Sequence, residues 1–150
     1  MENVIIAADK KIGGEMIKTF SRHGRGQIGI EIVDIEDEKD KTVDILVLTE
    51  NDRGRCSNIK CTALLLPGNM MPGGLKASFV VSYGMSPKDS ITMSSIGKSE
   101  CVLALQREIV TVGGVVMEQQ EIPVHKIHGL SPNELMAVSG AMVLSGYYTE

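Results

Sequence analysis

Flat side chains are scarce in this sequence. Aromatic residues make up 3% of it, there is no Trp, and only Phe20, Phe79, Tyr83, Tyr147 and Tyr148 carry rings. Single-stranded nucleic acid is bound on stacking platforms, and any phosphate backbone is met by a basic excess. The chain has few of the first, and its formal charge is −4, so no nucleic-acid partner is expected. The opening residues Met1-Glu2-Asn3-Val4-Ile5-Ile6 carry no basic region of a signal peptide. No apolar run approaches the roughly 18 residues of a membrane span, so no membrane partner is expected either. Cys56, Cys61 and Cys101 are odd in number and form no C-x-x-C pair, which fits a reduced, cytoplasmic setting. Neither G-x-G-x-x-G nor G-x-x-x-x-G-K-[ST] occurs, so no nucleotide fingerprint is present. Ser90, Thr92, Ser94 and Ser95 offer hydroxyls, but no adjacent His or Lys marks one as a nucleophile. No cofactor is called for, and no complete catalytic set is visible.

What is present is an aliphatic core. The 150 residues are 43% hydrophobic and 23% charged, with nine Met, a composition suited to one globular domain over 1–150. A chain of this length buries roughly 70% of its unfolded surface.

Residues 3–8 (NVIIAA) read as a buried strand. Asp9 is placed to cap a helix over 10–23, because its carboxylate can accept first-turn N–H groups. Ile12, Met16, Ile17 and Phe20 make its apolar stripe, and Gly24 is a natural stop. Gly13-Gly14 suits either an anion-admitting turn or a close helix–sheet contact; the missing fingerprint favours the contact. In 27–35, Ile28, Ile30 and Ile32 alternate with polar residues as in a strand near a sheet edge. Residues 36–41 (EDEKDK) form a charged turn rather than a spaced metal loop.

Three apolar runs then end in polar turns. Residues 43–49 (VDILVLT) lead into 50–58, which hold Asn51, Asp52, Arg53 and Arg55. Residues 63–66 break at Pro67-Gly68-Asn69, and 79–81 break at Tyr83-Gly84-Met85-Ser86. Runs of that length without alternation are strands covered on both faces, and ligands in open α/β sheets bind at such strand ends. The candidate ligand-binding residues are therefore Thr49, Asn51, Asp52, Arg53, Arg55, Gly68, Asn69, Tyr83, Gly84 and Ser86. The two arginines suit a phosphate or carboxylate fork, so the expected partner is a small-molecule or phosphate-bearing ligand. Only 69–78 (NMMPGGLKAS) connect the last two strands, fewer than a parallel crossover ordinarily needs, so these strands are not expected to be neighbours.

The succession VDILVLTEND (43–52), CTALLLPGN (61–69) and SFVVSYGMSPKDSITMSSI (78–96) resembles the later half of the central domain of Mur ligases. Thr49 and Asp52, Gly68-Asn69 and Tyr83-Gly84 stand at the comparable places. The resemblance covers roughly a third of the chain and lacks the family's phosphate-binding loop and the His after its Asp turn. It implies an α/β sheet with an antiparallel extension and does not imply ligase activity. The chain also resembles small stand-alone bacterial proteins of no assigned function.

Residues 100–125 read as a hairpin about Gly113-Gly114, with a tip extending past the core as an edge for homodimer formation. His125 and His128 read as exposed rather than as metal ligands, because no further ligand is marked nearby. Ser131-Pro132-Asn133-Glu134 is a capping box opening a helix over 132–145, whose Ala137, Gly140, Ala141 and Ser145 allow close packing. The expected fold is a single α/β domain: a mostly parallel, Rossmann-like sheet from strands near residues 4, 30, 46, 64 and 80, a C-terminal antiparallel hairpin, and helices packed on the sheet. Two functions fit: a non-catalytic small-ligand or nucleotide-type binding module, or a regulatory or assembly protein that self-associates through 100–125.

Overall fold

The computed structural model describes residues 4–22, 28–32, 40–52, 59–70 and 76–148, except for the side chains of Ser21, Arg22 and Asn51. In chain order the elements are β1 (Val4–Ala8), α1 (Lys10–Arg22), β2 (Ile28–Ile32), β3 (Lys41–Val47), a 3-10 turn (Glu50–Asp52), β4 (Ile59–Pro67), β5 (Lys76–Tyr83), β6 (Ile91–Ile96), β7 (Glu100–Leu105), β8 (Ile109–Val110), β9 (Val116–Met117), β10 (Gln120–His125) and α2 (Pro132–Ser145). The eight-stranded sheet has the order β10-β7-β6-β5-β4-β3-β1-β2. Pairing from β2 to β5 is parallel, and β6, β7 and β10 pair antiparallel. The two halves are joined between β5 and β6 by one parallel pair, Tyr83 with Ile91. This is the mostly parallel α/β sheet with an antiparallel extension and packed helices that the sequence predicts. Pro123 is tolerated in β10 because that strand is an edge with no partner on its outer side.

Asp9 caps α1 by accepting the Ile12 N–H at 2.8 Å. Ile12, Met16 and Phe20 are buried on the sheet, while Ile17 is 43% exposed. Gly13 is the close contact: a Cβ there would stand 3.0 Å from Ile32 Cγ1. The predicted stop at Gly24 and residues 36–39 of the predicted charged turn over 36–41 lie outside the described residues, and Lys41 already belongs to β3.

The second helix is different in kind. Every residue from 135 to 144 is buried, and a helix apolar all round belongs inside a core. It packs on β3, β4, β5 and β6 and against α1. Gly140 permits the approach, since a Cβ there would meet Leu65 Cδ2 at 3.0 Å and Ile91 Cδ1 at 3.2 Å. Thr19 of α1, which lies over the β2 edge, lines one cavity with α2 and with Pro123, Val124 and His125 of β10 at the opposite edge. The sheet therefore curls round α2.

Two expectations are corrected. First, β4 and β5 are direct neighbours, paired from Lys60 with Lys76 to Pro67 with Tyr83. Returning from Pro67 to the level of Lys60 takes about 23 Å, roughly seven residues of strand. The roughly nine Cα–Cα steps from Pro67 to Lys76 reach about 30 Å when extended, so no crossover helix is needed. Second, the hairpin tip does not extend past the core. The β7–β10 ladder stops at Leu105 with Gln120, and β8 and β9 form a separate two-stranded sheet. That sheet folds back on α2: the Val112 N–H donates to the Leu144 carbonyl at 2.9 Å, and Ile109, Thr111 and Met117 are buried. The physical reason is the end of α2, whose apolar side and last carbonyls both need covering. Gly114 turns the chain there with φ 89°.

Candidate functional site

The chain reverses its direction of travel across the sheet between β1 and β3, since β2 lies outside β1 while β4 to β6 follow on the other side of β3. Strand ends beside such a reversal are where open sheets bind ligands. Here the polar groups at that point satisfy one another. Thr49 donates its N–H to Asp52 Oδ2 at 2.8 Å, and its hydroxyl lies 3.2 Å from Asp9 Oδ2 and 3.4 Å from Asp52 Oδ2. Asp52 returns its own N–H to the Thr49 carbonyl at 3.0 Å. Thr49 and Asp52 are both buried. This turn is closed.

The open space lies further along the sheet edge. A cleft of about 480 Å³ is bounded by the turn after β4, the turn after β5, Glu50 and Asn133, a volume within the range of small-molecule sites. The turns are fixed to one another: the Gly68 N–H donates to the Tyr83 carbonyl and the Gly84 N–H to the Ile91 carbonyl, both at 3.0 Å. Tyr83 is buried, and its phenol donates to the Leu48 carbonyl at 2.9 Å, so it braces β5 against the end of β3. Asn133 Nδ2 donates to Glu50 Oε1 at 3.3 Å, tying the start of α2 to the 3-10 turn.

At the base of the cleft sits Asp89, 5% exposed. Its Oδ2 accepts the Ser86 N–H at 3.1 Å, and its own N–H returns to the Ser86 carbonyl at 3.0 Å. Its Oδ1 accepts no hydrogen bond from the described residues. Because no fully buried side-chain oxygen among them lacks a partner, Oδ1 is the part of Asp89 that the cleft reaches. Room for this carboxylate is made by two glycines from different turns. A Cβ on Gly68 would fall 1.8 Å from Oδ1, and one on Gly84 would fall 2.5 Å from Oδ2.

The loop carrying Asp89 is held from outside. Gln106 Nε2 donates to the carbonyls of Ser86 at 3.1 Å and Asp89 at 2.8 Å, and Arg107 Nη1 donates to that of Lys88 at 2.8 Å. A site whose backbone is clamped this way is preorganised, so a ligand does not have to order it.

The electrostatics of the cleft are acidic. Among the described residues, Glu50 and Asp89 line it against the single positive charge of Lys88. Burial, then the neighbouring carboxylates of Glu50, Asp52, Asp9 and Glu134, push the Tyr83 phenol well above its ordinary range. The helix N-termini, the usual places for an anion, are capped by the chain's own side chains. Asp9 caps α1. At α2 the Glu134 N–H donates to Ser131 Oγ at 3.1 Å, while Glu134 Oε1 accepts the Ser131 N–H at 2.9 Å. Glu134 is also paired with Lys11 at 2.7 Å.

Of the residues the sequence singles out, Gly68, Asn69, Tyr83, Gly84 and Ser86 line this one cleft. Thr49 and Asp52 lie in the closed turn behind it. The Asn51 side chain, Arg53 and Arg55 lie outside the described residues. Glu50, Lys88, Asp89 and Asn133 also line the cleft and lie outside the predicted set of ligand-binding residues. Their signal is a repeated pattern, Ser or Thr followed three residues later by Asp or Glu. It occurs as Thr49-x-x-Asp52, Ser86-x-x-Asp89 and Ser131-x-x-Glu134, and all three copies converge on this end of the sheet. Sequence reading identified only the last copy, because only that one opens a long helix.

No group of three His, Cys, Asp or Glu among the described residues is placed to hold a metal ion, and His125 and His128 are exposed. Cys61 and Cys101 are free and buried; burial pushes the Cys61 thiol up to about 11, which keeps it protonated and unreactive at neutral pH. No helix among the described residues is long and apolar enough to cross a membrane. Comparison of the chain with protein-family models, with curated proteins and with solved structures finds no match.

Proposed function

We propose that this chain is a non-catalytic binding module for a small polar ligand, held in the cleft between the turns after β4 and β5 and the start of α2. The observation that carries the reading is Asp89: a buried carboxylate on a clamped loop, given space by two glycines, with one oxygen left to the cleft. A turn needing only a cap would be served by the first oxygen. The likeness of residues 43–96 to the Mur ligase central domain fits a sheet edge that has kept a ligand position without the ATP-binding loop. Thermal-shift screening of the whole chain against nucleotides and metabolites tests this. A ligand that binds only the folded state raises its melting temperature with concentration, and silence across a broad panel would sink the reading.

A second reading, self-association through the hairpin, draws on a different observation. Val110, Val115 and Val116 are 43%, 48% and 54% exposed at the hairpin tip, although Ile109, Thr111 and Met117 beside them are buried. Light scattering on the eluting protein distinguishes it. A dimer that Val110→Lys and Val116→Lys convert to monomer supports the hairpin, and a monomer at all concentrations removes it.

A further inference from the structure

The class of ligand can be read from what the cleft offers. Asp89 Oδ1 is an acceptor with no donor among the described residues, on a residue 5% exposed. Glu50 adds a second carboxylate to the lining, and Asn69, Asn133 and Ser86 add neutral polar groups. For an anion the described lining offers only the charge of Lys88, which is exposed, and at the start of α2 the Glu134 N–H is taken by Ser131 Oγ. A buried carboxylate with one oxygen lacking a donor is costly. It is relieved best by a charged N–H donor, which makes the shorter, stronger class of hydrogen bond.

We infer that the cleft binds an organic cation, a ligand whose ammonium or guanidinium group donates to Asp89 Oδ1 while Glu50 takes its remaining charge. This rests on the binding reading above and narrows it. Clamping by Gln106 and Arg107 fixes the acceptor in place before the ligand arrives. The contact between Gly68 and Oδ1 makes the position intolerant of any other residue in that turn.

The experiment uses the whole chain with agmatine, which carries both an ammonium and a guanidinium group, beside sodium pyrophosphate, ribose and magnesium chloride. Melting temperature and amide NMR shifts are read in parallel. Agmatine is expected to raise the melting temperature and to move the amides of 67–69 and 84–89. In Asp89→Asn its affinity falls at least tenfold. Asn keeps an oxygen for the Ser86 N–H and places an NH₂ donor where Oδ1 was, so this variant removes the acceptor and spares the turn. Should it not fold, the wild-type amide map alone decides. Pyrophosphate, ribose or magnesium moving those same amides while agmatine does not would leave the binding reading standing and overturn the cation. Agmatine binding equally to Asp89→Asn, or moving amides elsewhere, overturns it too. Silence from all the probes counts against the binding reading as well.

Discussion

Asp52 and Asp89 are placed alike. Each is buried just beyond the end of a strand, each accepts the N–H of the residue three before it, and each returns its own N–H to that residue's carbonyl. Around Asp52 the Thr49 side chain closes in, its hydroxyl lying between Asp52 and Asp9. Around Asp89 the corresponding hydroxyl, Ser86 Oγ, turns away and accepts the Lys88 N–H at 3.2 Å. The flanking residues beside Asp89 are glycines, which present no side chain. One local design thus gives a sealed joint beneath the sheet's reversal point and an open acceptor two strands along. Chemistry at this edge is decided by the neighbours of the turn and not by the turn.

The contrast can be broken most forcefully at Gly68. Gly68→Ala puts a methyl group into the Asp89 carboxylate, and overpacking of that kind costs about 1–3 kcal/mol. Urea unfolding should show a loss at the upper end, with the cleft's ligand response gone. Next is Asp52→Ala, which leaves the buried Thr49 N–H without its acceptor and should cost about 1–3 kcal/mol in the same measurement. Asp89→Asn, by comparison, should stay within about 0.5 kcal/mol of wild type, because its turn bond survives. Equal losses in the two aspartate variants would erase the distinction between sealed and open turns. Gln106→Ala removes two donors from the Asp89 loop and should cost about 1 kcal/mol. Its sharper signature is faster amide hydrogen exchange over 84–90 with no change at 49–52.

The smallest effect belongs to the third copy of the pattern. The Lys11 ammonium, then the Ser131 N–H, hold the Glu134 carboxyl below its ordinary 4.5. A lowered carboxyl stabilises the fold above that value and loses the contribution as pH falls through its folded value. For a pair this exposed the amount is at most about 1 kcal/mol. Chemical denaturation at pH 7 and at pH 3.5 should therefore show a wild-type loss that is smaller in Glu134→Gln by this amount.

Much of the fold is legible because it rests on local patterns. NVIIAA, VDILVLT and the run at 63–66 announce buried strands. Asp9 and Ser131-x-x-Glu134 announce the helix starts, and Gly113-Gly114 announces a turn. What the sequence hides is set by distant partners. The direct pairing of β4 with β5 depends on how far an extended return can reach. The folding back of β8–β9 depends on a helix end that comes some thirty residues later in the chain. Asp89 escapes notice for the same reason. Its environment is made by Gly68 from another turn, and nothing within 84–90 marks it apart from a spacing that elsewhere means only a helix cap.

The burial of α2 has a consequence for how the molecule comes into being. The sheet strands precede it in the chain, and their inner face, with Ile6, Ile45, Ala63, Leu65 and Ile91, finds its cover only when residues 132–145 are made. Until then a growing chain carries a curved apolar surface with nothing to close on, the kind of surface that associates with other chains or calls on chaperones. The cleft, one wall of which is Asn133, likewise cannot exist until α2 has packed on the sheet.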